Sequence, residues 1–356
     1  MRAAIFYPDG PQLEERPEPT PGADDALVQV EYCGICGSDL HAAEPDFRAG
    51  TIMGHEFVGT VLEVGADVRE FRVGDRVAVN PNGVVCGHCE FCRSGRANLC
   101  ADVWKYSVGV ARDGGLAPLA AVDQRTLYRL PDGASFRHAA LVEPLAVALR
   151  AVKSSGITLG DNAIVFGGGP IGLLATALLR AGGATDISVV EPSAVRREKA
   201  VAVGATRAID PGAGPLAELL VGPRPRYGFD ATGVPEVVKD AVGVLAPGGT
   251  LTISGWSKRL PSFAAQDLIF KEITLRGSFI YTTEFDAALA MIATGRIDVE
   301  PLISGVLPVS EVPAAFDAMG NSPEVTKFLI SDLHAGSTEG LHGSSGLRAA
   351  RGRHSV

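Results

Sequence analysis

The stretch Asn162-Ala-Ile-Val-Phe-Gly-Gly-Gly-Pro-Ile-Gly172 decides the fold of this chain. Its first five residues form a continuous apolar run, which predicts a buried β-strand. A G-x-G-x-x-G turn follows, and the apolar residues Leu173–Ala181 then predict a helix. Glycines in this order permit a tight turn, a close approach of backbone to pyrophosphate and close packing of helix on strand. The sequence therefore predicts a dinucleotide-binding site rather than a glycine-rich turn without a ligand.

Strands and helices alternate on the carboxyl side of this turn. Further strands or strand ends are predicted at Asp186–Val190, Thr206–Ile209, Phe229–Gly233 and Gly249–Gly255. A helix is predicted at Arg196–Val203. Such alternation indicates a parallel sheet with helices on both faces, so residues 151–285 are predicted to form an α/β domain of the doubly wound Rossmann type.

Glu191 indicates which dinucleotide is bound. It ends the second predicted strand, where a carboxylate can accept hydrogen bonds from the ribose hydroxyls and repel a 2′-phosphate. NAD is therefore favoured, although the nearby Arg196 and Arg197 leave NADP open because arginine binds phosphate. The residues predicted to bind the cofactor are Gly167, Gly169, Pro170, Ile171, Gly172, Glu191, Arg196, Gly255 and Ser278.

The rest of the chain is predicted to form a β-rich domain. Alternating polar and apolar residues predict strands at Ala26–Tyr32 and Val58–Val64, and a turn with a strand over Val73–Val79. An amphipathic helix is predicted at Glu284–Ala293. The predicted bounds are 1–150 and 286–333 for the β-rich domain, 151–285 for the α/β domain, and 334–356 for a Gly/Ser-rich, disordered tail.

Four cysteines in the β-rich domain stand close together in sequence. They are Cys86, Cys89, Cys92 and Cys100, in the pattern C-x2-C-x2-C-x7-C. Four thiolates can surround one Zn²⁺ tetrahedrally with no open position, which is typical of a structural metal. Two disulfides or scattered core cysteines are the alternative, which the tight spacing disfavours. The motif therefore predicts a structural zinc site.

A second set of potential metal ligands is dispersed over the first 150 residues. Cys36, His55, Glu56 and Glu143 offer one thiolate, one imidazole and two carboxylates. Such a set can hold zinc with one position open, and an open zinc lowers the pKa of a bound water or alcohol. The sequence therefore predicts a catalytic zinc as well as a structural one.

Composition excludes several classes of protein. The 356 residues suggest two domains, and the formal net charge of −9 argues against a nucleic-acid partner. The first ten residues lack the features of a signal peptide, and no apolar run is long enough to span a membrane. The cysteine motif requires reduced thiols, so a cytoplasmic location is expected.

These motifs together resemble those of the zinc-dependent medium-chain alcohol dehydrogenases, in the branch that includes sorbitol, threonine and butanediol dehydrogenases. The resemblance extends over residues 1 to about 333 and depends on five motifs. They are C-G-I-C-G-S-D-L-H (33–41), G-H-E (54–56), G-D-R-V (74–77), the four-cysteine motif and E-P-L (143–145). It implies a GroES-like catalytic domain split around a Rossmann domain, two zinc ions per chain, NAD, and a homodimer or homotetramer.

The resemblance also implies roles for individual residues. Ser38 would take the proton of a secondary alcohol and relay it through the cofactor ribose toward His41, while hydride moves to the nicotinamide. Cys36 and His55 would be fixed zinc ligands, with Glu56 and Glu143 sharing the third position and either able to be the direct ligand. The expected activity is reversible oxidation of a polyol, diol, amino alcohol or cyclic alcohol to the ketone.

Some residues depart from the family pattern. Ile280 stands where polyol dehydrogenases commonly carry an arginine, which favours a less hydroxylated substrate. Gly114-Gly-Leu-Ala-Pro-Leu119 replaces the usual G-G-F-A-E-Y, and Cys33 is interpreted as a buried strand cysteine. Two alternative functions are a non-catalytic structural or binding protein, which would lack Cys36 or His55, and a zinc-free NADPH-dependent reductase, which would lack the four-cysteine motif.

Overall fold

The computed structural model describes residues 1–40 and 49–334 of the chain, and these divide into two compact units. The first unit comprises 1–143, 285–294 and the residues from 303 onward, and the second comprises 144–284 and 295–302. Residues 144–150 and 295–302 therefore group with the second unit, whereas the sequence analysis assigned them to the β-rich domain.

The strands of the described residues are β1 (Arg2–Ile5), β2 (Gln12–Glu15), β3 (Asp25–Gly34), β4 (Glu56–Val64), β5 (Arg76–Val79), β6 (Leu119–Asp123), β7 (Leu127–Arg129), β8 (Asn162–Phe166), β9 (Asp186–Val190), β10 (Arg207–Ile209), β11 (Tyr227–Asp230), β12 (Thr250–Ile253), β13 (Thr274–Gly277), β14 (Ile303–Leu307) and β15 (Lys327–Ile330). The α-helices are α1 (Gly37–Leu40), α2 (Glu90–Arg93), α3 (Val103–Tyr106), α4 (Phe136–Ala139), α5 (Val142–Ser155), α6 (Pro170–Ala181), α7 (Ala194–Ala202), α8 (Leu216–Leu219), α9 (Pro235–Val244), α10 (Ala265–Ile269), α11 (Glu284–Ala293) and α12 (Val312–Asn321). Short 3₁₀ helices lie at Ala97–Leu99, Gln124–Thr126, Pro211–Ala213, Glu300–Leu302 and Val309–Glu311.

A six-stranded parallel sheet forms the centre of the second unit. Its strand order is β10-β9-β8-β11-β12-β13, and every pairing in it is parallel. This order runs outward from β8 in both directions, which is the order of the Rossmann fold, and it confirms the predicted fold class. Strands β8 and β9 are buried almost throughout, because helices cover both faces of a parallel sheet.

A seven-stranded, mostly antiparallel sheet forms the centre of the first unit. Its order is β14-β15-β3-β4-β5-β7, with β6 also paired to β3. Gly34 at the end of β3 pairs with Glu56 at the start of β4, and Ile330 of β15 pairs with Cys33 of β3. This register brings Glu56, Lys327 and the residues before Cys36 to the same end of the sheet.

Most of the predicted elements are present. The predicted bounds of β8, β9 and α11 match the observed ones, and Cys33 is a buried residue of β3 as expected. Nine of the twelve described α-helices were not predicted, and six of these are only four or five residues long. The three longer ones, α5, α9 and α12, each carry a proline in the first turn, at Pro144, Pro235 and Pro313. Proline interrupts a helical pattern in sequence, but it is well tolerated at a helix start because the first amide groups have no intrahelical acceptor.

The predicted tail can be described only at its first residue. The imidazole of His334 stacks on Tyr32 with ring centroids 4.7 Å apart, and its Nε2 lies 2.8 Å from a carboxylate oxygen of Glu31. Residues 335–356 and His41 lie outside the described residues. Across the described ranges, no helix has the length and apolar character needed to cross a membrane.

Candidate functional site

The four-cysteine motif folds into a cluster of sulfur atoms. The thiols of Cys86, Cys89, Cys92 and Cys100 all lie within 4.8 Å of one another. The Cys86 and Cys92 sulfurs are 3.9 Å apart, close to the roughly 3.8 Å that tetrahedral geometry with ~2.3 Å zinc–sulfur bonds requires. The amide N–H of Cys89 points to Cys86 Sγ at 3.3 Å, as is usual for thiolates that hold a metal.

All six cysteines of the chain are free, so the alternative of disulfides is not observed. Burial and the neighbouring thiol of Cys89 raise the pKa of Cys92 to about 12. Four crowded thiols cannot all ionise without a cation among them, and zinc supplies the compensating charge. The donor set therefore fits a closed, tetrahedral zinc site.

A second group of metal-binding side chains lies at the end of the antiparallel sheet. Ligand atoms of Cys36, His55 and Glu56 lie within 4.8 Å of one another. His55 and Glu56 are buried, and Cys36 is partly exposed, so a small molecule can reach this site. One thiolate, one imidazole and one carboxylate fit a zinc ion that keeps an open position. The structure therefore brings together three of the four predicted ligands.

Asp39 supports two of these ligands. Its Oδ2 accepts the backbone N–H of Cys36 at 3.0 Å, and its Oδ1 lies 3.3 Å from Nδ1 of His55. A carboxylate at Nδ1 fixes the orientation of the imidazole and leaves the other ring nitrogen for a metal. Burial lowers the pKa of His55, but Asp39 and the Cys36 thiolate outweigh it and raise that pKa well above its usual value.

Lys327 is the partner of Glu56. Its ammonium donates to both carboxylate oxygens of Glu56, at 2.9 and 2.6 Å, and to the carbonyl oxygen of Ile35 at 2.8 Å. Both side chains are about 1% exposed. The ion pair is thus completely removed from water, where a charge without a partner would be strongly destabilising.

Glu143 lies in the first turn of α5 and is buried. Burial raises the pKa of its carboxyl group to about 7; Glu56 and Asp39 also raise it, whereas His55 and Lys327 lower it. It is not part of the three-residue ligand group found among the described residues. Glu143 thus lies within electrostatic reach of the site and is poised to exchange a proton near neutral pH.

The predicted proton relay can be followed only in part. Ser38 lies in α1, two residues after Cys36, and is half-buried. Its predicted partner His41 lies outside the described residues, so the relay from Ser38 to His41 stays a prediction.

The predicted cofactor residues lie at the carboxyl edge of the parallel sheet. Gly167 has φ +98°, and a Cβ on Gly172 would overlap the carbonyl oxygen of Gly167, so both positions require glycine. Gly169 precedes α6, makes no side-chain cap and faces open space. The N-terminal amides of α6, after Pro170, can therefore bind pyrophosphate.

Glu191 lies against this turn. Its Oε2 accepts the N–H of Gly168 at 2.6 Å and its Oε1 accepts the N–H of Ser193 at 2.8 Å. The backbone thus fixes the carboxylate beside the glycines, where the adenosine ribose of a dinucleotide lies in this fold.

The remaining cofactor candidates occupy the same edge of the sheet. Gly255 follows β12 and approaches the backbone of Gly233 so closely that a Cβ would overlap it. The hydroxyl of Ser278 is buried after β13 with no hydrogen-bond partner among the described residues, as expected of a group that meets a ligand. Arg196 lies on α7 beside Gly168. Arg197 forms an ion pair with Asp210 at 3.2 Å.

Two family profiles match the sequence. Residues 22–132 match the alcohol dehydrogenase GroES-like domain, and residues 170–294 match the profile described as zinc-binding dehydrogenase. The chain belongs to the zinc-dependent medium-chain alcohol dehydrogenases. It is accordingly an oxidoreductase that acts on an alcohol with a nicotinamide cofactor, and the predicted family, fold class and enzyme class are confirmed.

Relatives of this alcohol dehydrogenase match along nearly the whole chain. A probable D-xylulose reductase A of Aspergillus terreus is 34% identical over 91% of this chain and 96% of the relative, and the sorbitol dehydrogenase of Gallus gallus is 33% identical over 90% and 93%. A zinc-binding dehydrogenase from Sinorhizobium meliloti 1021, solved bound to NADP, has a TM-score of 0.87 at 34% identity, over 93% of this chain and 98% of that one.

Sequence reasoning missed two charged residues of the alcohol dehydrogenase site. Asp39 lies inside the quoted C-G-I-C-G-S-D-L-H motif, so its position three residues after Cys36 was available as a signal. Lys327 had no such signal, because it stands in the apolar strand β15, far in sequence from every ligand. Only the pairing of β15 with β3 places it at Glu56.

Proposed function

We propose that this enzyme oxidises a secondary alcohol to the ketone, reversibly, with NAD as the acceptor and two zinc ions per chain. The observation that carries the proposal is the group formed by Cys36, His55 and Glu56, with ligand atoms within 4.8 Å of one another and a partly exposed thiol. When bound, zinc would acidify the substrate hydroxyl and NAD would accept the hydride.

The chain's own residues would orient the substrate and move its proton. Cys36 and His55 serve as fixed metal ligands, and Asp39 holds the imidazole in orientation. Glu56 and Glu143 share the third protein position. Ser38, two residues after Cys36, takes the substrate proton and passes it toward His41. Glu143, with a pKa near 7, holds water at the site and exchanges a proton with it.

The preference for NAD is argued from Glu191. A fixed carboxylate beside the glycine turn repels a 2′-phosphate, and Arg197 is engaged with Asp210. We expect kcat/KM for NAD to exceed that for NADP by at least ~10-fold, the size of one charge-assisted contact. Glu191→Ala should lower this ratio, whereas Glu198→Ala, on the helix α7 that follows Glu191, should leave it unchanged. Equal use of the two cofactors by the unchanged protein would contradict the assignment.

Ile280 supports a substrate with few hydroxyl groups. It replaces the arginine of polyol dehydrogenases with an apolar side chain, and its backbone has φ +38°, which a β-branched residue rarely adopts. Strain of this kind concentrates at ligand-binding segments. We therefore expect diols and cyclic secondary alcohols to be better substrates than long polyols.

The decisive experiment measures zinc and turnover together. The purified protein is analysed for zinc per chain and assayed for NADH formation with a vicinal diol, a cyclic alcohol, an amino alcohol and a hexitol. Two zinc ions and measurable oxidation of a secondary alcohol would support the proposal. One zinc ion, without oxidation of any alcohol in the panel, would favour the alternative of a non-catalytic protein on this fold.

We also infer a homodimer in a reducing compartment such as the cytosol, where the six free thiols persist. Strand β13 forms one edge of the parallel sheet, and Phe270, shortly before it, is 81% exposed. An open sheet edge beside an exposed aromatic ring is a site for pairing with a second copy. Light scattering should show that Phe270→Asp is a monomer; an unchanged mass would place the interface elsewhere.

A further inference from the structure

Lys327 is a buried lysine, and each of its three N–H donors has an acceptor. An ammonium has three N–H donors, and here two go to Glu56 and one to the carbonyl oxygen of Ile35. The side chain therefore carries a fixed positive charge at the metal-binding group.

Strand β15 fixes where this charge lies. The N–H of Ile35 donates to the carbonyl oxygen of Phe328 at 3.1 Å, and Leu329 pairs with Gly34. The backbone and the ammonium thus hold the same short segment, immediately before Cys36. Lys327 cannot move away from Glu56 without breaking contacts on both sides of that segment.

Glu56 can consequently bind two cations, the ammonium of Lys327 and the proposed zinc ion. Its carboxylate packs over Gly34, where a Cβ would overlap Oε2, and both of its oxygens accept from Lys327. The same carboxylate belongs to the ligand group with Cys36 and His55. An ammonium that shares a carboxylate with a metal ion withdraws electron density from its oxygens and repels the ion, so it weakens that metal–carboxylate bond.

We propose that Lys327 is a positioning residue that competes with zinc for the Glu56 carboxylate and so keeps the third protein ligand exchangeable. This inference rests on the proposed zinc site. Glu143, water or substrate can take the third position when Lys327 holds Glu56. Without the ammonium, Glu56 would stay on the metal.

The proposal predicts two changes in opposite directions for Lys327→Met, a neutral side chain of similar length. The catalytic zinc should be released to a chelator about 10-fold more slowly, while kcat falls about 10-fold, the usual range for changing an outer partner of a metal ligand. If Lys327 only stabilised the structure around the site, Lys327→Met would release zinc faster, because the disturbed site would hold its metal less firmly.

The experiment follows zinc release from the holoenzyme with a chromogenic chelator. The phase that belongs to the catalytic ion is the one that is absent in Cys36→Ser. Lys327→Arg keeps the charge and should release zinc no more slowly than the unchanged protein. Thr326→Val, a buried substitution next to Lys327, should change neither zinc release nor kcat.

Faster zinc release from folded Lys327→Met would overturn the proposal. If that variant fails to fold, Lys327→Gln takes its place, because its neutral amide can still donate a hydrogen bond to Glu56. It should also release the catalytic zinc more slowly than the unchanged protein, and faster release would overturn the proposal. An unchanged protein with only one zinc per chain would instead refute the proposed zinc chemistry itself.

Discussion

The two metal-binding groups of the first unit differ in their surroundings. The four-cysteine group comes from one short stretch, Cys86–Cys100, and its hydrogen bonds are made within that stretch. The group of Cys36, His55 and Glu56 is drawn from separate segments and is enclosed by buried charges, namely Asp39, Glu143 and Lys327. The four-cysteine group thus has one kind of ligand from one stretch of sequence. The group of Cys36, His55 and Glu56, called the mixed group below, has three kinds of ligand from separate segments.

The difference is what we expect if zinc has a structural role in one group and a catalytic role in the other, as proposed above. Four thiolates would compensate the charge of a zinc ion and leave it no open position, which suits the proposed structural role. In the mixed group two of the three ligands have a charged side-chain partner, Asp39 for His55 and Lys327 for Glu56. These partners set ligand orientation and donor strength, which is what an exchangeable metal position requires.

The largest effect is expected from Cys36→Ser. The variant loses the only thiolate of the mixed group, so it should retain one zinc per chain and lose activity by at least about 10³-fold. Zinc analysis and NADH formation measure the two outcomes. Cys33→Ser is the matched control, because Cys33 is buried close by in sequence but lies outside the ligand group. Two retained zinc ions in Cys36→Ser would show that the mixed group is not a zinc site.

Glu143→Gln should have the next largest effect. The amide keeps the size of the side chain but can neither ionise nor exchange a proton, so we expect kcat to fall about 10²-fold with both zinc ions retained. Steady-state kinetics and zinc analysis check this, with the exposed Glu63→Gln as control. Near-normal turnover would remove Glu143 from the mechanism and leave Glu56 as the only carboxylate candidate.

The same comparison of the two metal-binding groups explains how much of each could be predicted from the sequence. The proximity of the four thiols could be predicted, because all the geometry is local and the spacing of Cys86 to Cys100 encodes it. The ligands of the mixed group were predicted from motifs, and so were the glycine turn and Glu191. Lys327 and the helix that carries Glu143 were not, since they depend on β-pairing over hundreds of residues and on Pro144 in a first turn.

Asp39→Asn should have a smaller effect. The substitution keeps an oxygen for the N–H of Cys36 but removes the charge beside His55, so zinc affinity should fall about 10-fold. Competition with a chelator measures this affinity. Asp123→Asn, another buried carboxylate of the same unit, serves as control because it pairs with Arg125 away from the metal-binding groups. Unchanged affinity would mean that the Asp39 charge contributes nothing to ligand strength.

Cys92→Ser should have the smallest effect on the chemistry. Three thiolates and a hydroxyl hold zinc much less firmly than four thiolates, so the protein should lose one zinc per chain and its Tm should fall by about 5 °C or more. The folded fraction should keep kcat within about 2-fold, because no residue of the mixed group comes from the stretch Cys86–Cys100. Calorimetry, zinc analysis and kinetics below the transition separate these outcomes, with Ser94→Ala as the local control. A large loss of kcat at unchanged Tm would break the comparison, because it would mean that the cysteine group acts on the reaction and not only on the fold.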